Sequence, residues 1–371
     1  MELKTNENRF ENTLYFNKIK VLASLFVVII HVCATFFYNN PTLSKIWIVS
    51  TFYNCLARTA VPLFVMISGA IYLNENKQIT LKHLYKTIAR FVIIFFFWDL
   101  LFLFSDYFLV NNSKFDLKTI LNILTSLTKY KYHLWYLLDY IILLALVPIL
   151  RLVCKKENRK QIKYLLLLFL FFNSFLTTFG YLSSLVSGKG TAIVILKNIV
   201  SVLNLFNIHQ LSSLIILFIT GWYFSTFNFE NHIKTISIVK WLIGIFVPII
   251  TVTICVFLEN KKCFDLIAHY YYLPNYILAI CIFLTFRYSK KANNQSKVVE
   301  KINNSSLFIY LVHPLFIDII NKYLITNIIA VCNSFWIILI IPAYVLIVYL
   351  LSWLLSTIIN LIPKKIRKWI C

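Results

Sequence analysis

The stretch VLASLFVVIIHVCATFF, residues 21–37, decides what kind of protein this is. Among its apolar residues stands one strongly titratable group, His31. With its apolar flanks the run has the length a helix needs to cross about 30 Å of hydrocarbon. The remaining composition points the same way. Of 371 residues, 60% are hydrophobic and 13% charged, and mean hydropathy is +0.78. Soluble domains carry roughly 25% charged residues. A chain with so few charges cannot cover a water-facing surface, so lipid must be its solvent. The run has no small-residue cleavage site after it and reads as a retained span, not a signal peptide.

A span needs about 20 mostly apolar residues, and by that measure the chain holds about ten. They lie near 15–38, 46–73, 86–109, 134–152, 163–183, 208–227, 239–258, 266–286, 304–325 and 334–361. The second is long, and Pro62 is its expected breaker. The expectation is an all-α polytopic membrane protein, one integral-membrane domain over 1–371 with no soluble domain. Segment 110–133 is mildly amphipathic and reads as an interfacial helix on the outer side.

The net charge of +22 invites a nucleic-acid reading, but the basic residues cluster in short loops between apolar runs. That pattern gives topology instead. Alternate loops and both termini hold 25 of the 36 Lys and Arg, the opposite loops hold ten, and Arg58 lies inside a span. Both termini are therefore expected to be cytoplasmic, with RLVCKKENRKQIK (151–163) the clearest inside loop.

No nucleic-acid partner is expected, because no basic stripe interleaves with aromatics outside the spans. The eight cysteines include no C-x-x-C pair. Most lie in apolar runs, as Cys33, Cys55, Cys255 and Cys281 do, and read as small buried hydrophobes. No His/Cys/Asp/Glu cluster has metal-ligand spacing, so no metal is expected. There is no glycine-rich phosphate cradle, so any phosphate must be held by Lys or Arg side chains.

Ionisable groups inside a membrane are costly and mark function by default. On a helix, eleven residues make about three turns, so Lys20 shares a face with His31, roughly 16 Å away. Asn17 and Ser24 fall near the same stripe. His31 is thus either a functional base or a histidine satisfied by a nearby carbonyl. Arg58 enters from the other side, about twelve residues or roughly 18 Å deep. It needs an anionic partner: Asp99, Asp139 or a bound anion. In NNSSLFIYLVHPLFIDII (303–320), Asn303, Asn304 and Ser305 offer N-cap oxygens. Tyr310 and His313 share a face, and Pro314 is expected to bend the helix. His133 and Trp135 stand at the outer interface, Trp135 as an anchor. A histidine base beside a cation suits acyl transfer within the membrane, and equally suits proton-coupled transport.

Four ordered blocks resemble acyltransferase family 3, the integral-membrane O-acyltransferases of cell-envelope glycans. NKIKVLASLFVVIIHV (17–32) looks like its first span. ARTAVPLFVMISGAIYL (57–73) looks like its Arg-then-VPLFFxISG block and is the most specific match. YHLWYLLDYIILLALVPIL (132–150) and SLFIYLVHPLFI (306–317) look like its HLWF…P and SxxIYxxHP blocks. The likeness is nearest to the stand-alone type that O-acetylates enterobacterial common antigen. Asn17 and Lys20 depart from the family's Asp and Arg.

The resemblance implies a multi-pass enzyme of the plasma (inner) membrane with no bound cofactor. It takes an acyl group, acetyl above all, from acyl-CoA to a hydroxyl of an envelope polysaccharide or lipid-linked saccharide. By carry-over, His31 and Arg58 are catalytic. Lys20, Ser68, Tyr310 and His313 bind the donor, with Ser68 and Gly69 shaping the pocket as a turn. His133 and Trp135 face the acceptor. The competing function is a polysaccharide or small-anion transporter using the same His/Arg site, disfavoured by the lack of an inverted repeat. Nothing argues for a third, a membrane subunit recruiting a synthase.

Overall fold

The computed structural model describes residues 14–42, 44–110, 116–125, 131–176, 210–257, 272–289, 296–324 and 336–363, with single positions 178, 194 and 369. Among them every regular element is helical. In chain order these are α1 (Leu14–Asn39), α2 (Lys45–Ala57), α3 (Ala60–Tyr72), α4 (Leu81–Phe104), α5 (Leu117–Thr125), α6 (Trp135–Val153), α7 (Arg159–Phe169), α8 (Gln210–Thr226), α9 (Ile233–Phe257), α10 (Leu273–Arg287), α11 (Lys297–Tyr323) and α12 (Ile337–Ile359). Two π turns, Ser105–Val110 and Leu170–Phe175, extend α4 and α7.

Six described stretches are long and apolar enough to cross a membrane: Leu14–Asn39, Lys45–Tyr72, Leu81–Phe108, Trp135–Val153, Glu230–Ile254 and Ile337–Ile359. Of the other four expected spans, 208–227 and 266–286 coincide with the shorter apolar helices Ser213–Thr226 and Leu273–Arg287. The one near 304–325 falls on α11, whose polar residues lower its hydropathy. The one near 163–183 falls on α7 and its π turn, then runs largely outside the described residues. In the segment 110–133 the described residues form the helix α5, begun by Asp116, whose Oδ1 accepts the Thr119 N–H at 2.7 Å. This hydrogen bond holds the exposed Asp116 carboxyl below its ordinary pKa.

Contacts divide the chain into two units, residues 1–77 with 149–303, and residues 78–148 with 304–371. In the first unit, α1 packs on α2 and α3, α3 on α8, and α9 on α2 and α10. The crossing of α3 and α8 is a backbone contact. A Cβ on Gly69 would stand 1.8 Å from the Phe218 carbonyl oxygen, and one on Gly221 would stand 1.9 Å from that of Met66. Lipid gives two apolar helices little reason to associate except close fit, and small residues supply it. The ISG stretch is therefore not a turn: Ser68 and Gly69 lie inside α3, because Gly69 is needed for this contact.

The expected break in the second span is real. It falls at Arg58 and Thr59, between α2 and α3, while Pro62 sits in the first turn of α3. Proline has no N–H to give to the carbonyl four residues back, and its ring crowds that carbonyl. Here that residue is Arg58.

In the second unit, Trp98 of α4 meets Phe308 of α11 edge-on at 5.6 Å. Phe91 meets Tyr140 of α6 at 4.9 Å, and Tyr344 of α12 donates to Asn321 of α11 at 2.9 Å. Helix α11 starts earlier than the sequence suggests. Its cap is Ser296, whose hydroxyl oxygen accepts the Val299 N–H at 3.2 Å, so Asn303, Asn304 and Ser305 lie inside the helix. Pro314 does not interrupt it.

Candidate active site

In the first unit the site is built on α1 and the α2–α3 break. Lys20 and His31 are both half-buried on one continuous helix. Ser24 lies near the same stripe. It is fully buried, and its hydroxyl donates to the Val21 carbonyl at 2.8 Å.

Arg58 is half-buried at the break. Its charge acts on two buried thiols, Cys33 of α1 and Cys55 of α2. Cys33 lies two residues beyond His31, about 3 Å along the axis. Helices α2 and α3, which flank Arg58, pack on α1, which carries His31, and Cys33 lies about 200° around α1 from His31. Asn54, one turn before Arg58, reaches α1 as well. Its Nδ2 donates over 3.5 Å to the carbonyl of Ile30, the residue preceding His31. The free thiols Cys33, Cys55, Cys154 and Cys281 are all buried.

At its other end the α1 seam meets positive charge. Lys20 lies within electrostatic reach of Lys77. Burial, followed by the nearby Arg151 charge, pushes the Lys77 ammonium below its ordinary pKa. Arg151 is fixed by the end of α3: its guanidinium donates to the carbonyls of Tyr72 at 2.8 Å, Asn74 at 3.1 Å and Lys77 at 2.9 Å. A cation suits a helix C-terminus, where unpaired carbonyls face outward. Ser68 is half-buried, and its hydroxyl donates to the Phe64 carbonyl at 2.9 Å.

The second unit gathers His133, Tyr310 and His313. His133 is buried. It sits in the turn leading into α6, and Trp135 begins that helix half-buried. The His133 ring packs edge-on to Phe102, Tyr310 and His313, with centroids 5.1, 5.6 and 5.5 Å away. Tyr310 donates its hydroxyl to the His133 backbone carbonyl. His133 Nε2 lies 3.3 Å from the Leu311 carbonyl and His313 Nδ1 lies 3.1 Å from that of Ile309. A carbonyl can only accept, so His133 carries its proton on Nε2 and His313 on Nδ1. That leaves Nε2 of a neutral His313 as its basic nitrogen. Beside this cluster Lys131 bridges Asp106 at 2.7 Å and Asp318 at 2.8 Å.

The structure thus gathers the candidate residues in two groups: Lys20, His31, Arg58 and Ser68 in the first unit, and His133, Trp135, Tyr310 and His313 in the second. The sequence reading passed over Asn54 and Arg151. Asn54 had left a signal, a carboxamide in an apolar run four residues from a span arginine. Arg151 looked like one more inside-loop charge.

A family model described as an acyltransferase domain matches residues 13–357. No curated protein and no solved structure matches the chain.

Proposed function

The chain belongs to acyltransferase family 3, and on that premise we propose that this multi-pass membrane acyltransferase moves an acetyl or related acyl group from acyl-CoA to a hydroxyl of an envelope polysaccharide or lipid-linked saccharide. Its place is the plasma membrane, with about ten spans and both termini inside, in line with the loop charges. The reading is supported by two ionisable groups, His31 and Arg58, carried within apolar stretches of packed helices, with Lys20 and Lys77 toward the other end of α1.

The roles follow from chemistry. His31 takes the proton of the acceptor hydroxyl as its oxygen attacks the thioester carbonyl carbon. Arg58 faces the negative charge that develops on the carbonyl oxygen. The C–O bond forms and the C–S bond breaks. The proton on His31 passes to the departing thiolate, so the products are an ester and free CoA thiol. Lys20 and Lys77 attract the CoA phosphates, a task for point charges where no glycine-rich cradle exists. The family resemblance assigns Ser68, Tyr310 and His313 to donor binding, and His133 and Trp135 to the acceptor.

Purified protein in lipid, given acyl-labelled acetyl-CoA and a glycan acceptor, is expected to release CoA thiol in step with labelled ester. Acceptor passing through sealed vesicles with no CoA release would instead indicate transport.

A further inference from the structure

Helices α3 and α8 touch through their backbones, and an arginine closes the end of each. Arg287 donates to the carbonyls of Phe224 and Phe227, the second at 2.7 Å. Arg151 donates to those of Tyr72, Asn74 and Lys77 at 2.8, 3.1 and 2.9 Å. Carbonyls at a helix C-terminus lack helical donors, and a guanidinium fork can satisfy several at once. The two turns differ in what they carry. Residues 225–229 read STFNF and hold no cation, whereas 73–77 read LNENK and end on Lys77.

The turn places Lys77 from several sides. Its N–H donates to the Asn74 carbonyl at 3.1 Å, and the Asn76 N–H donates to Asn74 Oδ1 at 2.9 Å. Glu75 is drawn to the neighbouring loop, where its Oε1 accepts the Lys156 N–H at 2.7 Å. The Lys77 ammonium lies 5.7 Å from the centre of the Tyr72 ring, folded back on the residue whose carbonyl Arg151 holds. It is there within electrostatic reach of Lys20 on α1, which packs on α3. Like charges so placed repel, and among the described residues neither ammonium forms an ion pair. A bound anion would relieve the repulsion. Arg151 is committed to three carbonyls, so its task differs from that of the two lysines.

We propose that Arg151 is a positioning residue for the acyl donor: by holding the 72–77 turn it keeps the Lys77 ammonium near Lys20, where the two bind the phosphates of CoA. The assignment rests on the acyl-CoA reading given above. Charge alone would not suffice for this task. A lysine at 151 would keep the charge, but an ammonium has no planar fork with which to span Tyr72, Asn74 and Lys77.

The test is Arg151→Lys in the full-length protein, in phosphatidylcholine vesicles, which offer no net anionic headgroup. Two donors are compared: acetyl-CoA, and S-acetyl-N-acetylcysteamine, a thioester without phosphate. An exposed charge contact contributes a factor of up to about 5. Arg151→Lys is expected to raise the acetyl-CoA KM by about 2- to 5-fold, with kcat retained and transfer from the phosphate-free donor near wild type. Lys77→Ala is expected to raise the same KM. Arg151→Lys added to it should raise KM no further, because both changes remove one contact. Arg287→Lys, which loosens the turn without a cation, is expected to leave the preference between the donors unchanged. An acetyl-CoA KM unmoved by Arg151→Lys, equal losses with both donors, effects that add to those of Lys77→Ala, or the same shift in Arg287→Lys would each overturn the assignment. Wild-type protein that transfers acetyl from neither donor contradicts the acyl-CoA reading itself, and this assignment with it.

Discussion

Pro62 and Pro314 each stand four residues after a residue of the candidate site, Arg58 and Tyr310, and the chain answers them differently. Both remove the helical donor to that residue's carbonyl. At Pro62 the span divides into α2 and α3, while α11 runs through Pro314 unbroken. Pro148, Pro248 and Pro342 also sit in continuous helices. Proline alone therefore does not set the break. Both halves of the second span pack on α1, but beyond it they have different partners. Helix α2 packs on α9, while α3 packs on α8 through touching backbones. The lesson is that packing turns a local weakness at Pro62 into a break and leaves Arg58 within it.

The largest expected effect comes from removing that packing. Gly69→Leu or Gly221→Leu would drive side-chain carbon into backbone, where no rotamer can relieve it. Loss of folded protein in detergent, by about 3 kcal/mol or more, is expected, since even ordinary overpacking costs 1–3 kcal/mol. A methyl group on Gly244 would meet nothing within 4 Å, so Gly244→Ala should hold or raise the unfolding midpoint. Equal behaviour at all three glycines would break the comparison.

The prolines come next. Pro62→Ala restores a donor to the Arg58 carbonyl and lets α2 grow toward α3. Fold and insertion are expected to survive while transfer falls by up to about 100-fold, the scale of a misplacement near 1 Å. Pro314→Ala restores a donor inside a helix already continuous through that point, so transfer should stay near wild type. Assays of transfer on both variants in lipid decide whether the break or the proline itself matters.

A smaller effect sharpens the second unit. Burial disfavours the Lys131 ammonium, but Asp106 and Asp318 more than offset this, so its pKa lies above the ordinary value. A raised folded pKa gives stability that is full below the unfolded value, about 10.4, and is lost as pH rises through the folded value. The unfolding midpoint should be flat with respect to this group up to that pH and fall beyond it. Lys131→Met should lower the midpoint at neutral pH and abolish that alkaline fall. The smallest expected effect is a rise in KM for acyl-CoA with salt, because exposed Lys77 is screened over about 8–10 Å at ordinary ionic strength. Lys77→Ala should flatten that dependence.

Much of this was legible in the sequence because lipid imposes simple rules. A helical fold follows from apolar runs, and Arg58 and His31 stand out where charge is scarce. The break near Pro62 was legible too. The reason Gly69 is glycine was not, since its partner Phe218 lies far away in sequence and only packing brings them together. The start of α11 was misread because Asn303, Asn304 and Ser305 look like a cap, while the cap is Ser296, in a polar stretch that periodicity does not mark. The rings that surround His133, from α4 and α11, were not legible, since they come from parts of the chain distant in sequence.

The central claim is that His31 acts as the base. His31→Gln keeps size and hydrogen bonding but removes basicity. In purified protein of wild-type stability and unchanged acyl-CoA binding, ester formation is expected to fall by about 10²–10⁴-fold, the usual contribution of general-base catalysis. Transfer by His31→Gln at a near wild-type rate would contradict the account, leaving His31 a structural hydrogen-bonder and moving the search to His313.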